Sequence, residues 1–216
     1  MHSWLPVPRD RILERVMRLG AGLVLFGVSI AVMLTAELGV GSWDVLHQGL
    51  AERTGIPFGW IVNGVSIAAL LLWIPIGERP GIGTIANAVV VGIVADLTLG
   101  FITKPESVFL QFGMLGVGIV GNGIATGLYI GAGLGPGPRD GLMTGLSDLT
   151  GRSIRTVRTG IEIAVLAAGW LLGGPVGLGT LLSAVTIGPL SQTFLRAFTI
   201  EDSPQPNSTS AVLRRQ

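Results

Sequence analysis

Cysteine is missing from all 216 residues, and histidine occurs only as His2 and His47. The first absence excludes a disulfide framework, a thiol nucleophile and a cysteine-ligated metal. Two distant histidines do not make a zinc site. Charge is scarce as well: Asp, Glu, Lys and Arg supply 12% of the chain, against roughly 25% in a soluble domain. So few polar groups cannot cover a globule in water, and the expected partner is the lipid bilayer. Lys104 is the only lysine, and a net charge of +1 gives no reason to expect nucleic acid. There is no metalloprotease motif, nucleophile elbow or phosphate loop. The stretch Pro136-Gly137-Pro138-Arg139 lacks the Lys-Ser/Thr that a P-loop requires. The expectation is a protein that is not an enzyme, with no catalytic residue, cofactor or metal assigned.

Glycine, by contrast, is abundant at 34 residues, many inside long apolar runs where they let helices approach closely. The runs are Leu19–Leu38, Phe58–Ile76, Ile82–Phe101, Val108–Leu134, Val157–Leu172 and Val176–Phe198, each near the ~20 residues that span a bilayer. The first follows Arg9, Arg11, Arg15 and Arg18, as a signal peptide would. Its apolar length exceeds the ~7–15 residues of such a peptide, so it reads as a retained transmembrane helix.

A shift of 96 positions aligns the sequence with itself without a gap. Leu38-Gly39-Val40-Gly41-Ser42-Trp43-Asp44 then meets Leu134-Gly135-Pro136-Gly137-Pro138-Arg139-Asp140, and Gly81-Ile82-Gly83-Thr84 meets Gly177-Leu178-Gly179-Thr180. Roughly a third of the positions from 18 to 101 equal their partners, which marks a duplication. The fold expected is an all-α membrane protein of six spans arranged as a 3+3 inverted repeat. Residues 1–18 form a basic cytoplasmic N-terminus, 19–101 the first unit, 102–107 a linker, 108–198 the second unit, and 199–216 a disordered cytoplasmic tail. Three spans per copy reverse the second copy in the membrane. With both termini in the cytoplasm of a cell membrane, twelve of the fourteen Lys/Arg residues lie inside and only Arg53 and Lys104 outside, as the positive-inside rule requires.

Between the first and second spans of each unit runs a short helical segment, residues 42–54 and 138–150, bounded by glycines. Thirteen residues reach about 20 Å, roughly half a bilayer. Each segment is either a half-helix entering the membrane, as in many inverted-repeat carriers, or an amphipathic helix on its surface.

Seven residues are candidates for binding a solute or ion. Asp44 and Asp140 occupy equivalent positions near the starts of the short helices, where a carboxylate either caps free amides or serves as a coupling-ion or proton site. Arg139, beside Asp140, either pairs with it or faces an anionic solute. His47 lies at i+3 from Asp44 and is either a proton-relay partner or an exposed surface residue. Glu162 shares a helix face with Arg158 and Arg155, so it forms a surface ion pair or a buried ion-coupling carboxylate. Asn122, midway along the fourth span and two turns before Tyr129, either bonds a neighbouring helix or lines a pathway. Asp96, whose repeat partner is Gln192, sits toward the end of its helix away from the cytosol.

The segment Gly39-Val40-Gly41-Ser42-Trp43-Asp44-Val45-Leu46-His47-Gln48-Gly49-Leu50 and the turn Gly77-Glu78-Arg79-Pro80-Gly81-Ile82-Gly83-Thr84 resemble the YczE/YyaS/YitT-type family of bacterial integral membrane proteins, closest to its YczE branch. The resemblance runs from about Arg18 to Phe198 and implies a multi-pass membrane protein, without assigning an activity. In the second copy Trp43 is replaced by Arg139 and Glu78-Arg79-Pro80 by Gly174-Pro175-Val176, so a strictly two-fold site is not expected. The leading functional expectation is a secondary carrier or facilitator of a small solute, with a coupling ion. A non-transporting membrane scaffold or regulatory protein is the alternative, and a channel-like facilitator ranks third. Substrate, ion, direction and homo-oligomerisation stay open at this level.

Overall fold

The structure, a computed structural model, describes residues 10–200. The basic segment before residue 10 and the tail after residue 200 lie outside the described residues. Eight helices and no strands make up the described chain: α1 (Ile12–Thr35), α2 (Ser42–Thr54), α3 (Phe58–Ile76), α4 (Ile82–Leu99), α5 (Val108–Gly131), α6 (Pro138–Thr150), α7 (Ile154–Leu171) and α8 (Leu178–Phe198). Five of them (α1, α3, α4, α5 and α8) are long and apolar enough to cross a membrane. Their outward faces carry Leu71, Ile74, Leu97, Phe109, Val117 and Leu181, all exposed. In water such a surface would be a liability; in hydrocarbon it is ordinary. The helix α7 falls outside that group. Its 18 residues would reach about 27 Å, but Arg155, Arg158 and Glu162 lie in its first half.

The first helix begins seven residues before the apolar run, at Ile12. Two pairings, one local and one long-range, carry the charged residues into the helix. Arg18 donates to Glu14 one turn back at 2.6 Å. Arg15, 1% exposed, turns inward and donates to the Ala132 carbonyl at 2.9 Å. Beyond α8, Ile200 is buried and its amide bonds the Gly131 carbonyl at 3.0 Å, so ordered structure runs two residues past the helix.

The helices α1 and α5 form the centre, with α4 against α1 and α8 against α5. Glycine sets these distances. A Cβ on Gly22 would stand 2.8 Å from the Tyr129 amide nitrogen. One on Gly27 would stand 2.8 Å from Val94 Cβ, and one on the equivalent Gly123 2.8 Å from Leu190 Cβ, itself the equivalent of Val94. The short helices cross between the repeats: α2 packs on α7 and α6 on α3.

Two backbone hydrogen bonds join the repeats with matching partners. Gly83 N–H donates to the Leu134 carbonyl at 2.8 Å, and Gly179 N–H to the Leu38 carbonyl at 2.7 Å. Each amide opens a helix, and each carbonyl precedes a glycine of positive φ, Gly39 at 97° and Gly135 at 117°, conformations open to glycine without strain. In each copy a threonine (Thr84 or Thr180) closes the same helix start by accepting the amide of Gly81 or Gly177.

One equivalence fails. The helix α3 packs on α4, whereas their counterparts α7 and α8 make no comparable contact. On the α3–α4 side the backbones of Gly59 and Gly92 come so close that neither site has room for a Cβ. On the other side Gly188, the counterpart of Gly92, has nothing within 4 Å of where its Cβ would lie.

Candidate functional site

Where α7 and α8 stand apart, a cavity of about 140 Å³ reaches the starts of both short helices. It is lined by Gly41, Trp43 and Asp44 at the start of α2 and by Arg139 and Asp140 at the start of α6. Asn122 and Tyr129 of α5, Arg158 and Glu162 of α7, and Ser183 and Ser191 of α8 complete its polar wall. Five sequence candidates therefore meet here: Asp44, Asp140, Arg139, Asn122 and Glu162. Tyr129 joins them on Asn122's helix.

His47 does not line the cavity but stands directly behind it. Its Nδ1 lies 3.3 Å from Asp44 Oδ1, and its ring meets Phe58 edge-on. It is 1% exposed, which corrects the surface-residue reading. The face of α2 holding Val45 and His47 is built into the core, and a one-turn partner of Asp44 is buried with it. The amide-capping half of the reading of the two aspartates is corrected too, while both do sit in the first turn of their helix, where the dipole favours a carboxylate. Neither helix start has a side-chain cap, and among the described residues neither carboxylate accepts an amide of its own helix. Asp140 accepts instead from the Tyr129 hydroxyl at 2.5 Å, while Asp44 faces His47. Glycine at both N-cap positions offers no side-chain cap, so the positive dipole ends of α2 and α6 lie at the cavity, although α6 opens on Pro138, which has no N–H, and the Asp44 amide bonds the Gly41 carbonyl.

The pair predicted on α7 is present: Arg158 Nε donates to Glu162 Oε1 at 2.8 Å. Arg155 takes no part in it. Asp96 lies elsewhere, accepting the Gly59 amide at 2.6 Å and tying α4 to the first turn of α3. An Asp96→Ala variant strands that amide and is expected to cost about 1–3 kcal/mol, read as a lowered thermal midpoint of the purified protein; an unchanged midpoint would contradict the role.

Arg139 and its repeat partner Trp43 face one another. The guanidinium sits 5.6 Å from the Trp43 ring and 5.6 Å from the Phe26 ring, a double cation–π contact. The two are counterparts across the 96-residue shift, and Phe26 is the counterpart of Asn122. Sequence reasoning passed over Trp43, Phe26 and Ser183. The pairing of Phe26 with Asn122, and of Ser183 with Asn87, across the 96-residue shift was the available signal. Two lining atoms are buried without a hydrogen-bond partner among the described residues, Trp43 Nε1 and Ser183 Oγ.

Apolar spanning helices, a lipid-facing surface and a polar cavity between helices define a multi-pass helical membrane protein. The chain belongs to a family of unknown function, DUF6198, whose pattern matches residues 13–196. It is similar to an uncharacterised protein of Haemophilus influenzae, 39% identical over 80% of this chain and 79% of that one. It is also similar to the uncharacterised membrane protein YczE of Bacillus subtilis, 37% identical over 78% of this chain and 79% of the relative. YyaS of the same organism, an uncharacterised protein, is 28% identical over 84% of this chain and 92% of its own length. The expected family is therefore the one found. No solved structure matches the chain.

Proposed function

We propose that the chain is a secondary carrier or facilitator of a small solute, built as six spans in a 3+3 inverted repeat with both termini in the cytoplasm of the cell membrane. The sixth span is α7, whose charged face lines the cavity instead of meeting lipid. The helices α2 and α6 are half-helices that enter from opposite sides and bring their N-termini to one central site, as half-helices do in carriers of this architecture.

The observation that supports this reading is the unequal closure of equivalent pairs. The helix α3 is shut on α4 through Gly59, Gly92 and Asp96, while α7 stands off α8 and Gly188 is open. Val62, Ser66 and Val91 are buried; their counterparts Arg158, Glu162 and Ile187 line the cavity. Exchanging the two arrangements would close the cavity on one face and open it on the other, which is alternating access. In the proposed orientation the present state opens toward the cytoplasm. A scaffold needs no such inequality between its halves.

The test is uptake by proteoliposomes under an imposed proton gradient, with the topology read from tags at both termini. Flux that Asp44→Asn and Asp140→Asn abolish without loss of insertion supports the carrier. Tags on opposite faces, or no flux of any solute in a broad panel, overturn it.

A further inference from the structure

Every ionic group around the cavity but one has a polar side-chain partner. Asp44 faces His47, Asp140 accepts from Tyr129, and Glu162 holds Arg158. Arg139 has no hydrogen bond and no ion pair among the described residues; its contacts are the faces of Trp43 and Phe26. Aromatic faces hold a guanidinium in place without using its N–H groups, so its donors remain free. The half-buried guanidinium therefore lines the cavity with unused N–H donors, and although Asp44 and Asp140 share that wall neither accepts from it, so a bound anion can.

The neutral groups nearby point the same way. Trp43 Nε1 can only donate, and it is buried and unpartnered in a residue 9% exposed. Ser183 Oγ is unpartnered in a residue 2% exposed. Both residues line the cavity with Arg139. Buried polar atoms left without partners are rare in a folded protein, and here two share a wall with the unpaired guanidinium. The starts of α2 and α6 add two positive dipole ends, each with an aspartate in its first turn. The cavity is smaller than the ~300–1,000 Å³ of sites for drug-sized ligands, and Phe26, Met143 and Ile187 supply an apolar side.

We infer that the cavity binds a small carboxylate, its oxygens on the Arg139 guanidinium and the Trp43 and Ser183 donors, its short carbon chain against Met143 and Ile187. This deepens the carrier reading and rests on it for physiological meaning, but binding is measured separately from flux. Guanidinium recognition is planar and bidentate, so the arrangement favours a carboxylate over a spherical anion.

The experiment is titration of the full chain in lipid nanodiscs with acetate, propionate and butyrate, beside chloride and the neutral isosteres acetamide and propionamide. The carboxylates are expected to bind and the amides not. Arg139→Gln should weaken carboxylate binding at least tenfold, the scale of about one charge-assisted hydrogen bond. Arg139→Lys should restore part of it, and Ser183→Ala should weaken it about threefold or more. Equal binding of acetate and acetamide overturns the inference, as does unchanged binding in Arg139→Gln or preference for chloride. Absence of carboxylate binding in a chain that transports another solute overturns this inference alone. Carboxylate binding without flux keeps it and overturns the carrier.

Discussion

Oxidising a variant that carries both Arg155→Cys and Gly188→Cys is expected to stop solute uptake almost completely, and reduction to restore it. These positions are the counterparts of Gly59 and Gly92, whose backbones touch where α3 closes on α4. A disulfide needs its Cα atoms within about 7 Å, and Gly188 has open space around its Cβ direction. The bridge can therefore form only when α7 swings onto α8, and once formed it holds the molecule in that state. The chain has no cysteine of its own, so no background cross-link competes. Arg155→Cys alone should transport normally, because that position does not line the cavity, while the reduced Gly188→Cys variant, which already carries a small side chain in the seam, sets the reference rate that reduction of the double variant should recover. Failure to cross-link in folded, transporting protein would show that α7 never closes. Cross-linking without effect on uptake would show that closure is not part of the cycle.

The same comparison, made with one larger side chain, separates folding from turnover. Gly92→Val would drive its Cβ into Asn63 Oδ1 and the Gly59 carbonyl. Overpacking of that kind costs about 1–3 kcal/mol or more, a large part of a domain's ~5–15 kcal/mol. The expected result is a sharp loss of monodisperse protein and of thermal stability. Gly188→Val meets nothing within 4 Å, so yield and melting should match the parent. Its uptake should nevertheless collapse, because the added methyls occupy the seam that α7 must enter. Size-exclusion profiles, melting curves and uptake on the two variants decide it. A Gly188→Val protein that unfolds like Gly92→Val, or that transports at the parental rate, contradicts the proposal.

Local chemistry made much of the chain readable in advance. The glycines flanking α2 and α6 marked their ends, and helix α3 runs as the apolar pattern between Pro57 and Gly77 says it should. The start of α1 was not readable, because Arg15 is buried by a carbonyl 117 residues away, which no local pattern contains. The pairing of Arg158 with Glu162 is a same-helix spacing and was legible. The roles of Asp96 and His47 were not, since one depends on α3 and the other on how deeply α2 is set. Arg139 and Trp43 are 96 residues apart. The repeat named them as counterparts without saying that they meet. The opening between α7 and α8 was hidden because the duplication argues for equal packing, and its failure is a tertiary fact.

The closed seam cannot be copied faithfully on the other side. Where Gly59 lets two backbones touch, the second copy has Arg155; where α4 continues through Ile93, α8 carries Pro189, which has no N–H for the helix ladder. In the proposed cycle the two end states would therefore differ in free energy. On the proposed topology the empty protein idles facing the cytosol, and occupancy or an ion gradient must lift it over. Under zero gradient, such a molecule would exchange solutes readily while moving them uphill only when driven.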